Sequence, residues 1–100
     1  MICYLTIKSD TTHVKKNEFD LWYETEHLNE AMTALMAKSA KRGWIKDTNF
    51  HIAIYEFTNV EIAEKAIKSK NLQKLIKIFD DKWNNKVPRT RELTKFVQMI

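Results

Sequence analysis

The sequence has little of three residues on which many functional sites are built. It holds one cysteine, one glycine and one proline in 100 residues. Cys3 alone closes no internal disulfide and builds no thiolate zinc site. Gly43 alone excludes the glycine-rich phosphate cradles, because neither a P-loop nor a dinucleotide fingerprint can be written with one glycine. No run of about 18 apolar residues occurs, which excludes a transmembrane helix, and no membrane partner is expected. The opening MICYLTIKSD lacks a basic segment and a small-residue cleavage site. No signal peptide is expected, and the cytoplasm is the expected location. The three histidines, His13, His27 and His51, are never four apart and never beside a carboxylate at ligand spacing. No metal site is expected from them.

What is there suits one globular domain over residues 1–100: 44% hydrophobic and 30% charged residues. Charge is uneven. Residues 1–50 balance seven Lys/Arg against seven Asp/Glu, and the whole +4 arises from residues 51–100. Such a surplus permits nucleic-acid or acidic-ligand binding; a solvated, lysine-rich helix face is the plainer reading.

Residues 2–7 are apolar and β-favouring and read as a first strand. Residues 18–36 carry helical spacing, with Leu21, Leu28, Met32 and Leu35 on one stripe and Asn17 as N-cap. An interruption near Leu28–Ala31 is not excluded by propensity. Residues 38–46 read as a weaker strand and 50–57 as the best strand of the chain. Thr58 and Glu61 sit at capping-box spacing and open a helix with Ile62, Ala63, Ala66 and Ile67 inward. Ser69 can cap a second segment, where Leu72, Leu75, Ile76, Phe79 and Trp83 form a core stripe. Residues 93–100 read as the last strand. The order β-α-β-β-α-β is the ferredoxin-like α+β arrangement: a four-stranded antiparallel sheet with helices on one face. Strands one, three and four are apolar on both faces, while helices cover only one. A homodimer joined through the helix-free sheet face follows.

Several stretches resemble a known group. WYETEHLNE at 22–30, SAKRGW at 39–44, IAIYEF at 52–57 and RTREL at 89–93 are similar to the EthD-like group of the dimeric α/β-barrel superfamily. The group's pattern is an aromatic pair, Glu-His-Leu-Pro-Glu, Ser-Ala-Arg-Arg-aromatic and Leu-Tyr-Glu-Leu. Asn29 stands here for the proline, and Ala34–Ala37 for a Pro-Gly, which implies a longer first helix and an altered cleft mouth. The resemblance implies two sheets pairing as a dimeric α/β barrel. It also implies a cofactor-free site for a small apolar or aromatic ligand, used for isomerase, cyclase or monooxygenase chemistry.

His27 is the leading candidate for proton transfer. On a regular helix it lies about 100° from the centre of the apolar stripe, at the border of the buried face. The resemblance adds that the matching histidine faces the cavity; a half-buried structural histidine is the alternative. His13 lies in a polar stretch, and His51, beside a turn, is expected to be solvated. Tyr55 would place a hydroxyl opposite His27, or serve only as a core aromatic. Trp22 and Tyr23 would shape the aperture, with Arg42 and His51 as further substrate-binding candidates. Glu56 needs a partner, and Arg42 on the neighbouring strand is the expected one. A different class of function remains open: a non-enzymatic module binding a ligand or RNA on the same fold. No basic-glycine-aromatic signature accompanies the third strand, which weighs against RNA.

Overall fold

A computed structural model of the protein describes residues 2–100. Its elements are β1 (Cys3–Asp10), α1 (Lys16–Trp22), a π-helical turn (Tyr23–His27), α2 (Leu28–Ala34), β2 (Ser39–Trp44), β3 (Phe50–Phe57), α3 (Val60–Ile67), α4 (Lys70–Trp83) and β4 (Arg89–Lys95). The four strands form one antiparallel sheet in the order β2-β3-β1-β4. The ferredoxin-like α+β arrangement is therefore present, with the two halves interleaved.

Strand alternation decides what lies under the helices. Cys3, Leu5, Ile7 and Ser9 of β1 face inward, as do His51, Ala53, Tyr55 and Phe57 of β3, and all eight are buried. Helix α4 buries Leu72, Leu75, Phe79 and Trp83 against them, the spacing expected from the sequence. Ser69 caps it, its hydroxyl accepting from Leu72 N–H at 3.1 Å. Helix α3 is capped by Asn59, not Thr58: the Asn59 side chain accepts from Ile62 N–H at 2.9 Å.

Three expectations are corrected. The first helical stretch is not interrupted near Leu28–Ala31; it widens one turn earlier, at Tyr23–His27. A π turn holds more residues per turn than an α-helix, so it resets which side chains face inward. Phe19, Trp22, Tyr23, His27, Ala31 and Leu35 are buried, while Leu21 is 58% exposed. The Thr25 hydroxyl donates to the Leu21 carbonyl at 2.8 Å, a bond to the preceding turn that accompanies helix distortion. The N-cap position is Lys15, without a side-chain cap, and Asn17 lies inside α1. The last strand runs over Arg89–Lys95 and not 93–100, because β1 begins at Cys3, which pairs with Lys95. Its polar composition suits an edge strand.

Candidate functional site

The first helical stretch and α4 lie side by side over the sheet and leave a narrow crevice between them. Tyr23, His27, Ala31 and Leu35 line one wall, and Leu72, Leu75, Ile76 and Phe79 the other. Ile7, Tyr55, Arg89 and Arg91 of the sheet form its floor and mouth. Its free volume is about 20 Å3, room for one water molecule. Larger hollows elsewhere are open surface depressions.

His27 reaches the crevice because the π turn ends on it. Its ring stacks on Trp22 (centroids 4.3 Å apart, planes at 14°) and meets Tyr23 edge-on at 5.0 Å. Phe79 closes the third side at 5.7 Å. Burial pushes the imidazole pKa down to about 4, and the Arg89 charge adds to this. Glu30 Oε1 lies 3.4 Å from Nδ1, at the limit of a hydrogen bond, and its side chain is 45% exposed. That carboxylate is too well solvated to hold a proton on the ring, so burial prevails and His27 is neutral at pH 7.

Tyr55 stands on the floor of the same crevice from the middle of β3. Its hydroxyl is buried and meets no partner in ordinary hydrogen-bond geometry, with the Tyr23 side chain as its polar neighbour. Burial raises its pKa far above the ordinary phenol value, and neighbouring Tyr23 raises it further. Tyr23 itself is pushed up to about 12 by burial. Both hydroxyls are therefore donors at any physiological pH.

Arg42 and His51 are not in this crevice. They form a second polar group beyond the Tyr23 ring, which lies 4.3 Å from the His51 ring. Arg42 Nη1 donates to Asp20 Oδ1 at 2.8 Å and to His51 Nε2 at 3.3 Å. Trp44 Nε1 donates to the same Asp20 oxygen at 2.9 Å. The Arg42 bond, then the Trp44 bond, hold the Asp20 carboxyl below the usual carboxylate range. His51 is fully buried, against the expectation of a solvated ring, because Phe19, Tyr23 and Trp44 pack around it. Burial, then Arg42, push its pKa down to about 4. Since Arg42 donates to Nε2, the ring proton sits on Nδ1, which has no partner.

Glu56 does not pair with Arg42. In the register Arg42 is opposite Ala53 on the inward face, whereas Glu56 is opposite Ser39 on the outer face. Its carboxylate takes the Ser39 hydroxyl at 3.0 Å and Lys38 at 3.6 Å. Trp22 does not line the crevice either; it backs His27 from behind.

Sequence reasoning missed Arg89, Arg91 and Asp80. Arg89 Nη1 pairs with Asp80 Oδ1 at 2.7 Å, and the guanidinium lies 3.8 Å over the Phe79 ring. The signal was present in RTREL: Arg89, Arg91 and Leu93 alternate, and Leu93 faces Leu5. Beginning the strand at 89 places both arginines on the inward face. Among the described residues no group of three or more His, Cys, Asp or Glu is placed to hold a metal ion. Among the described residues no helix is long and apolar enough to cross a membrane.

In fold the chain is similar to ferredoxin-like proteins of the EthD type. An EthD family protein from Bacillus halodurans superposes with a TM-score of 0.76, at 16% identity, over 97% of this chain and all of that one. SnoaB, a cofactor-independent oxygenase from Streptomyces nogalater, superposes with a TM-score of 0.69 at 10% identity, over 99% of this chain and 96% of that one. A dimeric ferredoxin-like protein from an uncultured marine organism gives 0.64 at 16% identity, over 100% of this chain and 98% of that one. At these identities the likeness is one of fold. No protein-family model matches the sequence, and no curated protein does.

Proposed function

We propose that the protein binds a small apolar or aromatic molecule in the crevice and acts on it without a cofactor, His27 taking a proton from the ligand. One observation carries this reading. A buried neutral imidazole and a buried hydroxyl, His27 and Tyr55, line a single apolar crevice, and the hydroxyl meets no partner in ordinary hydrogen-bond geometry although Tyr23 stands beside it. Folding leaves a hydroxyl unpaired at a cost of about 1–3 kcal/mol, and a ligand oxygen would satisfy it. The Tyr55 donor would then stabilise negative charge developing on that oxygen. An imidazole with a pKa near 4 is a weak base, so the proton it removes must be acidic: that of a phenol or of a carbon beside a carbonyl. Isomerase, cyclase and cofactor-free oxygenase chemistries all begin with such a step. The oxygenase description of SnoaB is in keeping with it. Trp22, stacked behind the ring, fixes its orientation.

The working unit in this reading is a homodimer through the helix-free sheet face. Tyr4, Ile52 and Ile54 stand on that face, and Phe96 packs edge-on against Tyr4 at 5.3 Å. Val97, Met99 and Ile100 beyond it are exposed. Burying these groups removes apolar area from water, and a second copy offers the matching surface.

The test titrates the protein with small phenols and aromatic acids, following the His27 ring signals by NMR over pH 3–8. The expected result is perturbation of His27 and Tyr55 with His51 unmoved, in a particle whose light-scattering mass is that of two chains. If no compound moves either residue, the crevice is not a site. A one-chain mass at micromolar concentration removes the dimer.

A further inference from the structure

Inward positions of a sheet roofed by helices are normally apolar. In β4 two of them are arginines, Arg89 opposite Ser9 and Arg91 opposite Ile7. Their surroundings differ. Arg89 is fully engaged: its side chain is 9% exposed, ion-paired to Asp80 and stacked on Phe79. Arg91 stands at the crevice mouth, and among the described residues no carboxylate lies within 4 Å of it. Arg91 is thus the lining cation without an ion-pair partner among the described residues, while Glu30, beside His27, is 45% exposed. Inside the crevice, the Tyr55 hydroxyl is fully buried and meets no partner in ordinary hydrogen-bond geometry, with Tyr23 as its polar neighbour.

We propose that the ligand of this crevice is a monoanion, a small aromatic or unsaturated carboxylate, whose carboxylate pairs with Arg91 while its apolar body enters between Leu35 and Leu75. This rests on the crevice being the binding site. A planar guanidinium matches a carboxylate's two oxygens. One guanidinium without an ion-pair partner offers one cationic group, which a monocarboxylate matches. The remaining lining, Ile7, Ala31, Leu35, Leu72, Leu75 and Ile76, offers nothing to a second charge. At rest the crevice is too narrow for such a ring. Arg91, exposed, and Ile76, half-buried, are the lining residues least enclosed by packing, and binding requires the walls to part beside them. An anion held there also opposes the Arg89 charge that helps keep His27 unprotonated. The ligand would therefore strengthen the base that acts on it.

The experiment compares benzoate with benzamide, which share a shape and differ in charge, by calorimetry on the full chain at pH 7 and two salt concentrations. Benzoate is expected to bind at least about tenfold more tightly than benzamide, since a charged hydrogen-bonded pair contributes that much. The advantage should shrink with salt. Arg91→Gln should reduce benzoate to the level of benzamide and leave benzamide unchanged, with Arg91→Lys in between; circular dichroism checks that each variant is folded. Saturating benzoate should raise the His27 pKa. Equal binding of the two compounds, or a preference that survives Arg91→Gln, overturns the anion assignment and leaves the crevice reading standing. Failure of both compounds to bind at millimolar concentration, with His27 and Tyr55 unperturbed, removes both.

Discussion

His27 and His51 are alike in most respects. Both are buried, both are flanked by Tyr23, and both have a pKa pushed down to about 4 mainly by burial. They differ in what the surroundings have already spent on them. His51 sits in a chain of partners, Arg42 on its Nε2 and Asp20 and Trp44 beyond, so its environment is architectural. His27 has one weak contact with Glu30 and otherwise aromatic walls and a crevice. Low pKa alone therefore does not mark a functional histidine; open coordination beside a cavity separates the two.

The largest break in this comparison comes from Phe79→Ala. Phe79 touches Trp22 and His27 and carries Arg89, but has no ring contact with His51. Its loss should cost roughly 3–5 kcal/mol in denaturant unfolding. Water entering the gap should raise the His27 pKa and leave that of His51 in place. A cost below about 1 kcal/mol would mean that α4 does not pack as described.

Acid tests the likeness rather than the difference. Each histidine has a folded pKa near 4 against an ordinary 6.5. Between those values the unfolded chain binds more protons than the folded one, so stability rises with pH across that window. The protein should be at full stability above about pH 6.5 and lose it progressively as pH falls toward 4. Urea midpoints at pH 7 and pH 5 measure this. His27→Asn and His51→Asn should each remove part of the pH dependence. A midpoint independent of pH between 5 and 7 contradicts the burial of both rings.

The smallest effect sharpens the difference. Arg42→Ala leaves His51 Nε2 without its donor and should cost about 1–3 kcal/mol. It also removes the charge that opposes protonation, so the His51 pKa should rise while Asp20 remains nearby. His27 should be unaffected, and a parallel shift there would show the two groups to be one network.

Much of the fold was legible because the patterns were long. β3 was a run of eight β-favouring residues, and the α4 stripe ran through three turns, so neither needed tertiary context. The element order β-α-β-β-α-β followed from them. The first helical stretch misled because hydrophobic periodicity presumes a constant turn. Leu21 shared a stripe with Leu28, Met32 and Leu35 only on a regular helix; across the π turn it is Phe19, Tyr23 and His27 that share the inward face with Ala31 and Leu35. Thr25 was the one local sign. At the other end, Phe96–Ile100 looked more strand-like than Arg89–Lys95 by composition, but pairing is set by where β1 lies. That misplacement hid Arg89 and Arg91. His27 and Tyr55 were read from residue type and face; Arg42 and His51 were placed with them only because sequence spacing cannot show that the Tyr23 ring stands between.

The wide turn at Tyr23–His27 also sets the phase of everything after it as far as Leu35. Each residue of an α-helix advances the chain by about 100°. The wide turn absorbs about one residue more than a regular turn, so deleting one residue there and returning to α winding would leave Ala31 and Leu35 facing the core. What such a deletion would remove is the wide turn itself, and with it the local placement of His27 beside Trp22. The helix after the turn therefore tolerates a change of one residue that the histidine does not.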